Sequence, residues 1–138
     1  MRFWDSSALI PLIIDEPSST EIRRLLMRDS HIIASYLTPV EITSALWRRR
    51  HHNELDVAAH QQADVAFAQI TQRWSTMPAS EVIERAIDLL ARHPLRAADS
   101  VQLASAMYAR ERFGQLPFAT LDRDLIVAAR AEGFTVLP

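Results

Sequence analysis

Short apolar runs alternate along the chain with longer stretches of helical periodicity. Runs rich in β-branched or aromatic residues predict strands at 2–4, 31–35, 75–78, 117–121 and 134–137. Between them, apolar residues recur every three or four positions, which predicts helices at 7–14, 18–29, 38–50, 56–74, 80–93, 98–113 and 122–133. Strands that alternate with helices indicate a central parallel sheet flanked by helices, an α/β fold with three layers, α/β/α.

The length and composition predict one globular domain over residues 1–138. Hydrophobic residues make up 49% of the chain, and neither a repeat nor a Gly/Ser-rich linker interrupts it. The longest apolar run, "ALIPLII", has seven residues and contains a proline, so we expect no membrane span. The absence of cysteine excludes thiolate metal sites and fits a reducing compartment, so we expect a cytoplasmic protein.

The charge and glycine content exclude several classes of protein. The net charge is −2, and all 15 basic residues are arginine. With only two glycines the chain has neither a P-loop nor a G-x-G-x-x-G phosphate cradle. Receiver domains and haloacid-dehalogenase-type phosphatases also place acids at strand ends, but they depend on a lysine. A chain without lysine is a poor candidate for either class.

Four acidic residues fall where a parallel sheet gathers its functional groups. Asp5 and Asp122 directly follow predicted strands, and Glu41 and Asp99 lie in the first turns of predicted helices. Two carboxylates about 4 Å apart repel each other by about 4 kcal/mol at an effective dielectric constant of about 20. Such a cluster therefore requires retained protons or bound cations. Oxygen ligands favour Mg²⁺ or Mn²⁺, and two such ions would suit the hydrolysis of a phosphodiester.

Helix capping is the alternative explanation for each acid taken alone. Thr38-x-x-Glu41 has the spacing of a capping box with Thr38 as N-cap, and Asp99-x-x-Gln102 has the same spacing. The other two acids precede helices and would serve as N-caps. Acids are also favoured at helix N-termini by the helix dipole.

Four motifs carry a resemblance to a known family. "WDSSAL", "TPVEITSAL", "LRAADSVQLASA" and "FATLDRDL", in this order, resemble the PIN-domain family, and more narrowly its VapC-type toxins. The resemblance implies a PIN-like fold and a Mg²⁺- or Mn²⁺-dependent endoribonuclease that hydrolyses RNA with a metal-activated water. It implies that Asp5 and Asp99 are the principal metal ligands. Glu41 and Asp122 would act through water or complete a second metal site.

Three further residues match positions near the family's acidic site. Ser6 and Thr120 fall where the family often has a hydroxyl that orients water or a carboxylate. Local hydrogen bonding to the backbone explains the two hydroxyls equally well. Asp124 would replace or assist Asp122, or it is a solvated acid in the first turn of a helix.

One dense cationic run, "WRRRHH", contains Arg48, Arg49 and Arg50. Arginine suits contact with RNA or with a protein partner, whereas the alternative is a solvated helix end whose cations complement the dipole.

The resemblance further implies a homodimer and a cognate antitoxin that covers the acidic pocket. Two other functions stay open. One is a PIN-like nuclease of RNA processing, and the other is a catalytically silent scaffold that acts through protein binding.

Overall fold

In the computed structural model, which describes residues 1–138, five strands form one sheet. The strands are β1 (Arg2–Trp4), β2 (Ile32–Ser35), β3 (Trp74–Met77), β4 (Phe118–Ala119) and β5 (Val136–Leu137). The α-helices are α1 (Ser6–Ile13), α2 (Ser19–Arg28), α3 (Thr38–His51), α4 (Val57–Thr71), α5 (Ile83–Arg92), α6 (Ala97–Phe113) and α7 (Arg123–Ala131). None of these helices combines the length and apolar character that a membrane span requires.

The sheet is entirely parallel, with the order β3-β2-β1-β4-β5. The central strand β1 pairs on one side with β2 and on the other with β4, so Phe3 lies opposite both Ile33 and Phe118. Because all strands run the same way, their carboxyl ends share one edge. The first turns of α1, α3 and α7 follow β1, β2 and β4 at that edge.

Helices cover both faces of the sheet, and each face has its own hydrophobic core. Phe3 and Trp4 point to opposite faces because successive side chains alternate along a strand. Phe3 packs with residues of α5, α6 and α7, such as Leu103. Trp4 packs with residues of α1 to α4, such as Leu9. Each large side chain that becomes fully buried contributes about 1.5–3 kcal/mol. The predicted three-layer α/β/α fold is therefore confirmed.

The element boundaries differ from the prediction mainly at β3, β4 and β5. The predicted strands 117–121 and 134–137 are each paired over only two residues, since β4 and β5 are in register only from Phe118 to Ala119. The predicted helix 56–74 ends at Thr71, because Trp74 already pairs with β2. Residues 79–81 form a separate 3-10 turn before α5.

Candidate active site

Asp5 is buried at the point where β1 ends and α1 begins. Only 2% of the residue is exposed. As the N-cap of α1 it accepts hydrogen bonds from the Ser7 N–H (3.1 Å) and from the hydroxyls of Ser7 (2.5 Å) and Thr120 (3.1 Å). Burial raises the pKa of the Asp5 carboxyl; these hydrogen bonds oppose the shift, and the charge of Asp122 adds to it.

The same two hydroxyls connect the ends of β1 and β4. Ser7 Oγ lies 3.2 Å from Thr120 Oγ1 and accepts a hydrogen bond from the Leu121 N–H at 2.9 Å. Thr120 Oγ1 accepts a hydrogen bond from the Asp122 N–H at 3.1 Å. The two strand ends that carry acids are therefore joined through side chains, in addition to the backbone pairing of the strands.

Of the two serines that follow Asp5, Ser7 makes the closer contacts. The Ser6 hydroxyl lies 3.4 Å from Asp5 Oδ1, whereas the Ser7 hydroxyl lies 2.5 Å from Asp5 Oδ2. Sequence reasoning singled out Ser6 and passed over Ser7. A hydroxyl beside the N-cap of a helix was the only available signal, and it applied to both serines.

Asp122 caps α7, as the capping interpretation predicts. Its Oδ1 accepts a hydrogen bond from the Leu125 N–H at 2.9 Å, and its side chain is half-buried. Asp5 and Asp122 are therefore both N-caps and both members of the acidic cluster. Asp124 lies in the first turn of α7 and is exposed.

The capping box predicted for α3 is wrong. The N-cap is Leu37, no side chain caps the helix, and Thr38 already belongs to its first turn. The Thr38 hydroxyl is instead buried against the amide of Gln102, with 3.0 Å between Gln102 Nε2 and Thr38 Oγ1. The same amide donates a hydrogen bond to Glu41 Oε2. The Asp99-x-x-Gln102 spacing likewise forms no box, since Arg96 precedes α6 and Gln102 points to α3.

The charges of neighbouring acids add to the raised pKa values of Asp5, Glu41 and Asp99. Burial raises the pKa of Glu41 to about 7, and the charges of Asp5 and Asp99 add to this shift. Burial also raises the pKa of Asp99, as do the charges of Asp122 and Asp5, whereas the charge of Arg96 opposes the shift. The four predicted acids therefore lie within electrostatic reach of one another at one edge of the sheet.

None of these four carboxylates forms a salt bridge. The chain also has no group of three or more His, Asp or Glu side chains with the spacing of a ready-made metal site. The chemistry of the donors nevertheless fits a hard divalent cation, because Mg²⁺ takes one or two carboxylates and keeps several of its waters. The four carboxylates also carry negative charge that no salt bridge compensates, and a bound cation would compensate it.

A cavity of about 660 Å³ opens in front of the acids. Glu41 and Asp99 line it, together with Ser6 and Ser7, which contact Asp5. Asp5 and Asp122 do not line it. Exposed basic side chains lie on its other walls, namely Arg48, His52 and Arg96. Sequence reasoning missed Arg96, which is one residue before α6 and carried no periodic signal.

The three adjacent arginines of α3 have different surroundings. Arg48 lines the cavity and forms no salt bridge. Arg49 also lines the cavity, but it is paired with Glu16 in the segment between α1 and α2. Arg50 does not line the cavity, and its guanidinium donates a hydrogen bond to the Leu55 carbonyl oxygen at 3.3 Å.

The fold and the acidic edge define a doubly covered parallel α/β domain with its candidate site at the carboxyl ends of the strands. A family model for the PIN domain matches residues 2–131, so the chain belongs to the PIN-domain family. A comparison with curated proteins gave no match.

Solved structures share the fold along nearly the whole chain. Mycobacterium tuberculosis VapC20, described as a sarcin-ricin loop cleaving toxin, has 20% identity and a TM-score of 0.67, with 98% of this chain and 97% of that chain covered. A toxin–antitoxin complex from Klebsiella pneumoniae has 17% identity and a TM-score of 0.66, covering 100% and 97%. PAE2754 from Pyrobaculum aerophilum has 20% identity and a TM-score of 0.65, covering 98% and 82%.

Proposed function

We propose that the chain is a Mg²⁺- or Mn²⁺-dependent endoribonuclease of the VapC type that acts as the toxin of a toxin–antitoxin pair. The observation that carries the proposal is the cluster of four carboxylates that have no cationic partner, in a PIN domain. Two structures that share the fold, one described as a sarcin-ricin loop cleaving toxin and the other as a toxin–antitoxin complex, support the narrower assignment.

Asp5 and Asp99 would be the principal metal ligands, and Glu41 and Asp122 would act through water or hold a second ion. A divalent cation at this place supplies an activated water and a counter-charge for the phosphodiester. The chain's own hydroxyls at Ser7 and Thr120 keep the Asp5 carboxylate in one orientation through their hydrogen bonds. Fixed ligands need no rearrangement when the cation binds.

RNA would enter through the cavity in front of Glu41 and Asp99. Arg48 faces this cavity without an acidic partner, so its guanidinium is available for a phosphate of the bound strand. Arg96, which also lines the cavity, would contribute in the same way. Arg49 would contribute only if its pair with Glu16 opened. Arg50 is engaged elsewhere and has no such role.

The main test is RNA cleavage by the purified chain, freed of any partner, with Mg²⁺, Mn²⁺ or EDTA. We expect cleavage that requires the metal and is lost in Asp99→Asn. Asp88→Asn, in the amphipathic α5 on the opposite face of the sheet from α3, is the matched control and should cleave normally. Cleavage that survives both EDTA and Asp99→Asn would contradict the proposal.

Expression in a bacterial host tests the toxin assignment separately. We expect growth arrest with the wild-type chain and none with Asp99→Asn. A chain that cleaves RNA in vitro without affecting growth would be a nuclease of RNA processing. A chain that neither cleaves nor arrests growth, and that binds a partner equally well with and without Asp99, would be a scaffold.

The arginines are tested by RNA binding in EDTA, where no cleavage occurs. We expect Arg48→Gln to weaken binding of single-stranded RNA by about 3- to 10-fold and to lower the salt dependence by the equivalent of one phosphate contact, a slope change of about 0.7. Arg50→Gln is the matched control and should bind as the wild type does. Equal effects of the two variants would mean that the run acts only through its overall charge.

The antitoxin and the homodimer stay predictions of the family resemblance. An antitoxin cation that reached the acids would neutralise charge that the chain leaves unpaired. We expect a small protein encoded with the chain to co-purify with it and to inhibit cleavage. Loss of this complex on Glu41→Lys, with the fold retained, would locate the partner at the acidic site.

A further inference from the structure

Gln102 is a fully buried amide that joins two helices beneath the acidic site. It lies in α6, three residues after Asp99, and none of its surface is exposed. Its Nε2 donates to Glu41 Oε2 and to Thr38 Oγ1, the latter at 3.0 Å. Both hydrogens of the amide nitrogen are therefore used, one on the carboxylate and one on a buried hydroxyl of the same helix α3.

Filling the core does not account for an amide at this position. An apolar side chain of similar size would occupy the space without the cost of removing an amide from water. The amide has a specific acceptor, a carboxylate that no cation neutralises. A hydrogen bond to a carboxylate is stronger than one to a neutral group, and it limits the positions that the carboxylate can take.

We propose that Gln102 is a positioning residue, which holds the Glu41 carboxylate toward Asp5 and Asp99 and so prepares the site for a divalent cation. The inference rests on the proposed metal-dependent function. Glu41 has three rotatable side-chain bonds and is only half-buried, so packing alone does not fix it. The bond from Gln102 to one carboxylate oxygen supplies the missing constraint. Thr38 in turn fixes the amide.

The same helix provides a matched control one turn further along. Ser105 is also fully buried, but it faces β2 and not α3, with its Oγ 3.0 Å from Ser35 Oγ. Its hydroxyl donates to the Val101 carbonyl oxygen at 2.7 Å and contacts no carboxylate. Removing either polar group perturbs the packing of α6 on the sheet. Only the loss of Gln102 releases Glu41.

The test is the affinity of the full-length chain for Mn²⁺, measured by calorimetric titration beside the thermal unfolding temperature. We expect Gln102→Met, which keeps the volume and removes the amide, to weaken Mn²⁺ binding by about 10-fold or more. Ser105→Ala should lower the unfolding temperature and leave the Mn²⁺ affinity unchanged. Thr38→Val, which keeps Gln102 but frees its amide, should weaken binding by a smaller factor. It serves as the second variant if Gln102→Met does not fold.

The outcomes separate this inference from the proposed function. Wild-type Mn²⁺ affinity in Gln102→Met, or in Thr38→Val if Gln102→Met is unfolded, would overturn the role of Gln102 and leave the metal site intact. Equal weakening by Ser105→Ala and Gln102→Met would reduce Gln102 to a packing role. Failure of the wild-type chain itself to bind Mn²⁺ would overturn the metal-dependent function and this inference together.

Discussion

Two regions of the molecule hold acidic side chains that are partly or fully buried. In one region the carboxylate forms salt bridges, and in the other the carboxylates form none. At the end of α7, the Glu132 carboxylate lies 2.7 Å from His93 Nε2 and 3.3 Å from an Arg92 nitrogen. The Glu132 carbonyl oxygen accepts a hydrogen bond from Arg110 at 2.8 Å. We call these four residues the Glu132 cluster. At the carboxyl edge of the sheet, four acids share hydroxyl, amide and backbone donors but have no cation.

The contrast separates a structural use of charge from a functional one. The Glu132 cluster gives the carboxylate its partners within the chain, so the charge contributes to stability. The carboxylates of the acidic site form no salt bridge within the chain, and burial, with a contribution from the charges of Asp5 and Asp99, raises the pKa of Glu41 to about 7. A buried carboxylate that is ionised and has no cationic partner lowers the free energy of unfolding until a cation binds. The two regions should therefore respond to mutation in opposite directions.

The largest effect is expected from Asp5→Asn. This near-isosteric change removes a carboxylate that we propose as a metal ligand, so we expect the rate of RNA cleavage to fall by at least about 10²-fold. The unfolding temperature of the metal-free protein should not fall, and we expect it to rise, because a buried charge with a raised pKa is removed. Asp15→Asn, at an exposed position, is the control for both measurements. If Asp5→Asn lost stability and kept full activity, Asp5 would have the structural role that we assign to the Glu132 cluster.

The opposite result is expected from Glu132→Gln. The change leaves the mostly buried His93 without its carboxylate partner and also removes the partner of the more exposed Arg92, so we expect the free energy of unfolding to fall by about 1–2 kcal/mol. Cleavage per folded molecule should be unchanged. Urea denaturation gives the first quantity and an RNA cleavage assay the second. Glu111→Gln, which breaks the more exposed pair with Arg85, should cost less than about 1 kcal/mol.

The pH dependence of stability should reveal the acidic site directly. In the unfolded chain Glu41 has its ordinary pKa of 4.5, and in the folded chain its pKa is about 7. Between these values the folded state binds more protons, so the free energy of unfolding of the metal-free protein falls as the pH rises from about 4.5 to 7. With allowance for solvent screening at this half-buried group, we expect a fall of about 1 kcal/mol.

Denaturation in urea at a series of pH values checks this expectation. Glu41→Gln should flatten the fall, and so should a saturating concentration of Mn²⁺, which binds the ionised form. A metal-free wild type that becomes more stable over this pH range, by an amount that Glu41→Gln abolishes, would contradict the raised pKa.

The smallest effect is expected from Asp124→Asn. Asp124 is exposed in the first turn of α7, so only its interaction with the helix dipole is lost, which costs about 0.5 kcal/mol or less. Cleavage should change by less than about 3-fold, whereas Asp122→Asn should reduce it by more than 10-fold. A larger effect at Asp124 than at Asp122 would move the fourth acid of the site to position 124.

The three layers and the positions of the acids could be predicted from the sequence. The hydrogen-bond donors that contact the acids could not. Buried β-branched runs and capping residues are local signals, so β2 and the N-caps at Asp5 and Asp122 could be predicted. Glu41 is different. Its nearest donor is Gln102, 61 positions away, and the local spacing with Thr38 suggested a capping box that does not form. The packing of α6 on β2 brings the Gln102 amide to Glu41, and this tertiary contact decides between the two partners.

The arginine run illustrates the same limit. Three consecutive identical residues have no periodicity, and the sequence therefore could not distinguish Arg48 from Arg50. The helix turns about 100° per residue, which sends neighbouring side chains in different directions. The distinction arises from α3 itself, because the residues that line the cavity lie on one face of this helix, at Val40, Glu41, Ser44, Ala45, Arg48 and Arg49.

The pairing of β1 with β4 has a consequence for the order in which the molecule folds. Asp5 and Thr120 are 115 positions apart, and they meet only when these two strands pair. Closing so long a loop is slow compared with forming the local contacts between α5 and α6. A folding intermediate with the helices of one face in place would therefore still lack the hydroxyl that holds Asp5. The acidic site should therefore be completed only at a late stage of folding, together with the contacts between the residues that are most distant in the sequence.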